Sequence, residues 1–548
     1  MLHCGTIWET FAAAAAAHGP RPFLHIPAVA TRGYAEGPVD WSYAEAWAEV
    51  GRLRGCYEVL GLVAGERVAL LLGNRAETLL HWFALAGLGV SIVPISAELR
   101  AGEIAHILRH SEAVMIVAWP EHHAALRSCI AGFDTPPVLF GPDLRGQMPA
   151  RVKPERLGIG PDTEVALLYT SGTTGAPKGC RLSNDYVLEL GRQYVGLGHL
   201  CAFEIGRERM LTPLPLTHMN ALCCTPFAMM LTGGCLIQLD RFHASSWWQT
   251  VRDSGATCLH YLGVMPAILL NAPERPEDSL AGQVKFGFGA GVDPRHQQRF
   301  ERRFGFPLIE AWSMTETGAG GWISMHREPR ILGARCIGRP LPHMEIRLVD
   351  EAGAEVPDGE AGELLVRTHG QRPRRYFFSG YFGDEAATEA AWAGGWFHTG
   401  DVVRCDAEGN YFFVDRRKNV IRRSGENIAA VEVEGSLYQH AAVATCAVMA
   451  TPDELRGDEV LALVVLAPGW PATRETAGAV AAHVAAQLAY YKAPGWIGFV
   501  DALPMTASQK IQRAEAKALA ARMIEAGEVF DLRDAKRKRP KMPAAGRS

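Results

Sequence analysis

The 548-residue chain is 48% hydrophobic with a formal charge of -4, which suits a globular protein with more than one sizeable core and leaves no electrostatic footprint for nucleic acid. No apolar run reaches the roughly 18 residues of a membrane span, and the alanines from Ala12 to Ala17 lack the basic start and cleavage pattern of a secretion signal, so a cytoplasmic protein without integral membrane association is expected. The twelve cysteines are scattered, and their one close pair, Cys223 and Cys224, suits neither a CxxC metal site nor a disulfide framework; reduced, buried thiols are expected.

In chain order, "RVALLLG" from Arg67 and "AVMIVAW" from Ala113 read as buried strands of a layered α/β fold. "LLYTSGTTGAPKGCRLSN", residues 167–184, follows an apolar run with a loop rich in Gly, Ser and Thr that ends at Lys178. Three later segments repeat one pattern. "FAMMLTGGCLIQL", "WWQTVRDSGATCLHYL" and "RHQQRFERRFGFPLIEAW" each carry a helix to a glycine (Gly233 and Gly234, Gly255, Gly305) and then enter a short apolar run, the alternation that builds parallel sheets. After about residue 340, "HMEIRLVDEAGAEVPDGEAGELLVRT" alternates polar and apolar residues around Gly and Asp turns, as antiparallel hairpins do. From Val443, strand-like "ATCAVMA" and "VLALVVLAP" precede a helical "AGAVAAHVAAQLAYYK", predicting a separate small α+β domain. The closing "RDAKRKRPKMPAAGRS" is charged and rich in Pro and Ala, as a solvated, frayed end would be.

The loop after Thr170 has a chemistry of its own. A glycine-rich turn can aim successive backbone N–H groups at an anion, hydroxyls add donors, and a lysine adds charge, so phosphate is a natural ligand. The spacing excludes a P-loop NTPase, because the position that needs a second glycine before the lysine is Pro177. Taken alone, the loop leaves a mobile surface segment equally open.

The loop resembles the phosphate-binding signature of adenylate-forming enzymes, the superfamily of acyl-CoA synthetases, luciferases and peptide-synthetase adenylation domains. "PLPLTHMN" (213–220), "GFGAG" (287–291), "EAWSMTETG" (310–318), "GWFHTGD" (395–401), "VDRRKNVIRRSGENIAAVEVE" (414–434) and "LPMTASQKIQR" (503–513) follow in that superfamily's order. "GWFHTGD", "YFFVDRRKNVIRRSGENI" and "GVMPAILL" most resemble bacterial acyl-CoA ligases of the crotonobetaine/carnitine-CoA ligase type. The resemblance implies an α/β fold: a large N-terminal domain of layered α/β subdomains with a small β-barrel-like part, and a small mobile C-terminal α+β domain. It places the adenylation domain at 1–416, a hinge at 417–418, the C-terminal domain at 419–530 and a basic tail, expected to be disordered, at 531–548.

The implied activity is an ATP-dependent acid–thiol ligase that makes an acyl-adenylate, releases pyrophosphate and passes the acyl group to coenzyme A, with Mg²⁺ as cofactor. By the same resemblance, Lys510 bridges the substrate carboxylate and the α-phosphate, Thr315 donates to the α-phosphate, and Glu316 holds the metal. Thr170, Ser171, Gly172, Thr173, Thr174, Gly175 and Lys178 would cradle phosphates; Asp401 and Arg416 would take the ribose; Gly289, Ala290 and Gly291 would pass beside the adenine, with Trp312 stacked on it. Lys418 matches the hinge about which the small domain rotates, withdrawing Lys510 and bringing Ser424 and Gly425 to the pantetheine channel. Two positions depart from the family pattern: Trp312-Ser313 replaces a common Tyr-Gly, and Gln509 replaces a glycine before the lysine.

The acid's pocket would be walled by His218, His260, Tyr261, Gly263, Met265, Gly287 and Met314, an aromatic and apolar set that suits an alkyl or aryl chain or a trimethylammonium head. His218 is open to two readings, a gate or a core hydrogen bond. A free-standing adenylation enzyme that loads a carrier protein, a luciferase-like oxygenase and a nucleotide-binding pseudoenzyme are the alternatives. The short stretch from Lys510 to Ser548 has no room for a fused carrier domain, and Lys178, Glu316, Asp401 and Lys510 together speak against a pseudoenzyme. Small-molecule acid, ATP and CoA are the expected partners, with a homo-oligomer left open.

Overall fold

The computed structural model describes residues 4–28, 37–99, 101–149, 157–170, 177–423, 426–453, 456–505, 511–534 and 536. The fold is mixed α/β, with a large N-terminal domain and a small C-terminal one. Two compact units are distinguished by their contacts: Met1–Ile346, Leu365–His398 and Glu408–Phe412 form the first, and Arg347–Leu364, Thr399–Ala407 and the chain from Phe413 onward form the second. No helix among the described residues is long and apolar enough to cross a membrane. The twelve cysteines form no disulfide, and eight of them are buried.

The first unit holds two sheets. In one, Arg67–Leu71 is flanked by Ser91–Pro94 and Met115–Ala118, all parallel; Glu164–Thr170 extends the Ser91 side and Lys178–Ser183 returns antiparallel to it. These central strands are buried along nearly their whole length, as expected where helices cover both faces. The other sheet runs parallel through Pro22–Ile26, Cys235–Gln238, Arg209–Thr212, Cys258–Leu262, Phe286–Ala290 and Leu308–Trp312. The helix–glycine–strand punctuation seen in the sequence recurs in this sheet. Helices Thr225–Thr232 and Pro294–Phe304 stop at Gly233 and Gly305, whose φ values of 65° and 79° only glycine adopts without strain, and each chain then turns straight into a strand.

In the second unit, Val443–Asp453 and Gly457–Leu466 form a long antiparallel hairpin, with Trp496–Phe499 parallel to its second strand and Val529–Asp531 antiparallel to that. Side chains alternate between two cores. Cys446, Val448, Val460, Ala462 and Val464 pack against helices Ala430–Leu437 and Arg474–Gln487, while Ala447, Met449, Leu461 and Leu463 pack with helix Arg513–Glu525.

The start of the basic tail differs from its composition-based expectation. Asp531 closes a strand, Leu532 is buried, and Arg533 pairs with Asp531 and Asp453. Lys536, only 6% exposed, reaches the fully buried Glu459 at 2.6 Å and donates to the carbonyl of Tyr491. Arg423 joins the same carboxylate at 2.9 Å. A buried carboxylate needs cations around it, so these basic residues are drawn into the fold rather than left in solvent. Residues 537–548 lie outside the described residues.

Lys536→Glu sets a second carboxylate against buried Glu459 and is expected to destabilise the second unit by on the order of 3–5 kcal/mol. Urea unfolding followed by tryptophan fluorescence reads this directly, and an unchanged midpoint would show that Lys536 is not anchored in solution.

Candidate active site

Adjacent parallel strands end together, and the turns that follow them carry most of the candidate residues of the first unit. Leu262 pairs with Ala290, and Gly289 with Glu310, so the ends of Cys258–Leu262, Phe286–Ala290 and Leu308–Trp312 lie side by side. Their contact is tight. An ideal Cβ on Gly263 would lie 1.8 Å from the carbonyl oxygen of Gly291, and one on Gly289 would lie 2.2 Å from that of Tyr261. Backbone reaches backbone here because neither glycine has a side chain.

Glu310 fixes the turn after Ala290. Its carboxylate accepts from the backbone N–H groups of Gly291 (2.8 Å) and Val292 (3.2 Å) and from the Tyr261 hydroxyl (2.5 Å). Burial pushes the Glu310 carboxyl up to about 7 despite these donors. Trp312, 6% exposed, ends the neighbouring strand, where it pairs with Ile323.

The turn at 313–318 is framed from two sides. The Tyr186 hydroxyl donates to the carbonyl of Thr315 (2.7 Å), and the Phe378 N–H donates to the carbonyl of Glu316 (2.9 Å). The Ser313 hydroxyl closes the turn on the carbonyl of Gly318 (2.9 Å), a bond that the common glycine could not make. Glu316 is 8% exposed, and its Oε1 accepts from the Tyr381 hydroxyl at 3.1 Å. No group of three or more His, Cys, Asp or Glu among the described residues could hold a metal ion unaided. One buried carboxylate of hard oxygens fits Mg²⁺, which keeps its waters and shares the oxygens of a bound phosphate chain.

Lys178 lies close to this carboxylate's partner. Its Nζ is 4.8 Å from the Tyr381 ring centroid and 3.6 Å from Asp384 Oδ2. Thr170 and Lys178 pair across the hairpin, while Ser171, Gly172, Thr173, Thr174 and Gly175 of the glycine-rich loop between them lie outside the described residues. Lys510, Gln509, Ser424 and Gly425 lie outside them too. Lys418 falls in a single 3₁₀ turn, Arg417–Asn419.

Asp401 and Arg416 come together within the second unit, with Arg416 Nε 3.4 Å from Asp401 Oδ1. Asp401 is 3% exposed and its backbone N–H donates to the Thr399 hydroxyl. A buried carboxylate beside a half-exposed guanidinium suits recognition of a diol.

The members of the proposed acyl-pocket set have different surroundings. His260 and Tyr261 are consecutive on one strand and point to opposite faces. His260 is buried between the hydroxyls of Tyr194 (3.1 Å) and Thr225 (3.3 Å), and burial lowers its pKa to about 3, so it is a neutral hydrogen-bonding ring. Tyr261 and Met265 instead belong to an apolar core on the other face, with Leu259, Phe300 and Leu308. His260, Tyr261, Met265 and Gly287 nonetheless all border one small cavity, together with Trp247, Leu259, Phe300 and Leu308. Gly287 lies in strand Phe286–Ala290, and a Cβ there would meet Leu308 at 2.9 Å. His218 is exposed, and Met314 is partly exposed in the framed turn. Glu310 opens the "EAWSMTETG" motif without the sequence giving it a role, and Tyr381, Tyr186 and Asp384 lie outside every motif named above, with partners far away in the chain.

A family model described as AMP-binding enzyme matches residues 11–382, and one described as AMP-binding enzyme C-terminal domain matches residues 432–510. The chain is 32% identical over 479 residues to the sulfoacetate–CoA ligase of Cupriavidus necator, covering 85% of this chain and 90% of that protein. It is 30% identical over 508 residues to the crotonobetaine/carnitine–CoA ligase of Citrobacter koseri, covering 88% and 94% respectively. Among solved structures, the o-succinylbenzoate CoA synthetase of Bacillus subtilis in complex with its acyl-adenylate intermediate superposes with a TM-score of 0.77 at 25% identity, covering 93% of this chain and 98% of that one.

Because Glu310 titrates near 7 when folded and in the ordinary carboxylate range when unfolded, its proton favours the native state at low pH. That contribution is complete below the unfolded value and is lost as pH rises to about 7. Glu310→Gln has no such titration, so the parent should lose on the order of 2–3 kcal/mol relative to the variant between pH 4 and pH 8. Urea unfolding across that range checks it, and parallel profiles would remove the raised pKa.

Proposed function

The chain belongs to the AMP-binding enzyme family, and on that premise we propose that it is an ATP-dependent acyl-CoA ligase that activates a carboxylic acid as its acyl-adenylate and transfers the acyl group to CoA. In the first step a carboxylate oxygen of the acid bonds to the α-phosphorus of ATP and the bond to pyrophosphate breaks. In the second, the CoA sulfur bonds to the acyl carbon, AMP leaves, and the thiol proton passes to solvent. The single observation that carries this reading is the buried Glu316 carboxylate joined through Tyr381 to Lys178, a lysine at the mouth of a glycine-rich loop. It supplies one hard-oxygen ligand and one cation where a triphosphate has to be held.

Each residue then has a role set by its chemistry. Lys178 and the donors from Thr170 to Gly175 hold phosphate oxygens. Glu316 takes Mg²⁺, which when bound neutralises charge on the phosphates during displacement. Thr315 offers its hydroxyl to the α-phosphate from a backbone that Tyr186 immobilises. Gly289, Ala290 and Gly291, clamped by Glu310, form a flat edge for the adenine beneath Trp312, and Asp401 accepts the two ribose hydroxyls with Arg416 alongside. Lys510 offsets the repulsion of carboxylate and α-phosphate in the first step only, Lys418 is the pivot between steps, and Ser424 and Gly425 lie along the pantetheine path. A cytoplasmic location is part of the same proposal.

A panel of carboxylic acids assayed for pyrophosphate release with and without CoA tests the reaction class; acid-dependent pyrophosphate with acyl-CoA is expected, and ADP with inorganic phosphate would contradict it. Lys510→Ala should slow adenylate formation on the order of 10²-fold or more while leaving transfer from supplied acyl-adenylate to CoA largely intact. Equal loss of both half-reactions would show that Lys510 is not confined to the first.

A further inference from the structure

The Tyr381 side chain meets both charged groups of the phosphate site, and neither the sequence motifs nor the family match gives it a task. Its position is strongly determined. The segment around it runs beside the strand that begins at Lys178: Tyr381 bridges to Cys180, the Phe382 N–H donates to the carbonyl of Gly179 (2.8 Å), and the Arg181 N–H donates to that of Gly380 (3.0 Å). The Tyr381 N–H is held by the Thr388 hydroxyl (2.9 Å), and its ring packs edge-on against Phe378 at 4.8 Å. The ring is therefore carried on the same hydrogen-bonded ribbon as Lys178, while its hydroxyl reaches Glu316, 65 residues away in sequence.

We propose that Tyr381 is a positioning residue that couples the metal carboxylate to the phosphate-loop lysine: its hydroxyl orients Glu316 and its ring face seats the Lys178 ammonium. The two functions are chemically separable. A carboxylate that accepts from a fixed phenol cannot rotate freely, and outer partners of this kind set the affinity of the metal that their carboxylate binds. The ring face attracts the ammonium through its quadrupole with the centroid 4.8 Å from Nζ, and this attraction does not involve the hydroxyl. Asp384 Oδ2 lies 3.6 Å from the same Nζ.

The inference rests on the reading of Glu316 given above, and Glu316→Gln serves as its reference. Mn²⁺ is the probe, its uptake in the presence of ATP followed by the loss of its free electron-paramagnetic-resonance signal, alongside binding of radiolabelled ATP in excess chelator. Tyr381→Phe should weaken Mn²⁺ uptake about tenfold while leaving metal-free ATP binding within about twofold. That second measurement also reports an intact fold. Tyr381→Leu, which removes the ring face as well, should weaken metal-free ATP binding too, by about three- to fivefold. Mn²⁺ affinity unchanged in Tyr381→Phe but lowered in Glu316→Gln would overturn the inference alone; affinity unchanged in both would overturn the reading of Glu316 and the inference with it.

Discussion

Register at the carboxyl ends of three neighbouring parallel strands is the constraint on which the first unit's chemistry depends. Because Cys258–Leu262, Phe286–Ala290 and Leu308–Trp312 stop at nearly one level, the turns after them have to share one small space. Ligands of α/β proteins bind at such edges, where backbone N–H and C=O groups leave the ladder and become available. Space is won by Gly263 and Gly289, and the loosened backbone is retied by one buried carboxylate, Glu310. A residue that looks like part of a strand is thus the fastener of the turn beside it.

The charged groups are ordered in the same way, by contacts that cross long stretches of chain. Tyr186 comes from helix Asn184–Gly196 and fixes the carbonyl of Thr315; Phe378 and Tyr381 come from a segment after residue 370 and fix Glu316. Each holds a backbone carbonyl or a carboxylate oxygen of the 313–318 turn in place. Preorganisation of this kind matters most where two anions must meet, since dipoles already in place need not reorient during the reaction. In the second unit Asp401 and Arg416 show the same economy: a nearly buried carboxylate held at its backbone by Thr399, with a guanidinium at its edge.

Much of the fold was legible because helix, glycine and strand follow one another locally. Gly233 and Gly305 mark turns that need no distant information. The motif residues were legible for a different reason: their chemistry is concentrated in a few consecutive positions, as in "MTETG" and "GFGAG". What escaped was whatever depends on pairing. Tyr261 reads as a pocket aromatic, but that its hydroxyl is taken up by Glu310 shows only in the pairing of distant strands. Tyr381 and Glu310 bond across 65 and 49 residues, and although Glu310 opens "EAWSMTETG", the motif does not say what its carboxylate holds. The basic tail misled in the opposite sense, since Lys536 was read by its neighbours' polarity when its place is set by the buried charge of Glu459.

The central claim is that the acid's own carboxylate attacks the α-phosphorus of ATP. Turnover of a carboxylic acid substrate labelled with ¹⁸O in both carboxyl oxygens, followed by mass spectrometry of the nucleotide product, tests it without reference to any single residue. An acyl-adenylate path leaves one labelled oxygen in the phosphate of AMP. Label in inorganic phosphate beside ADP, or AMP carrying none, would contradict the account.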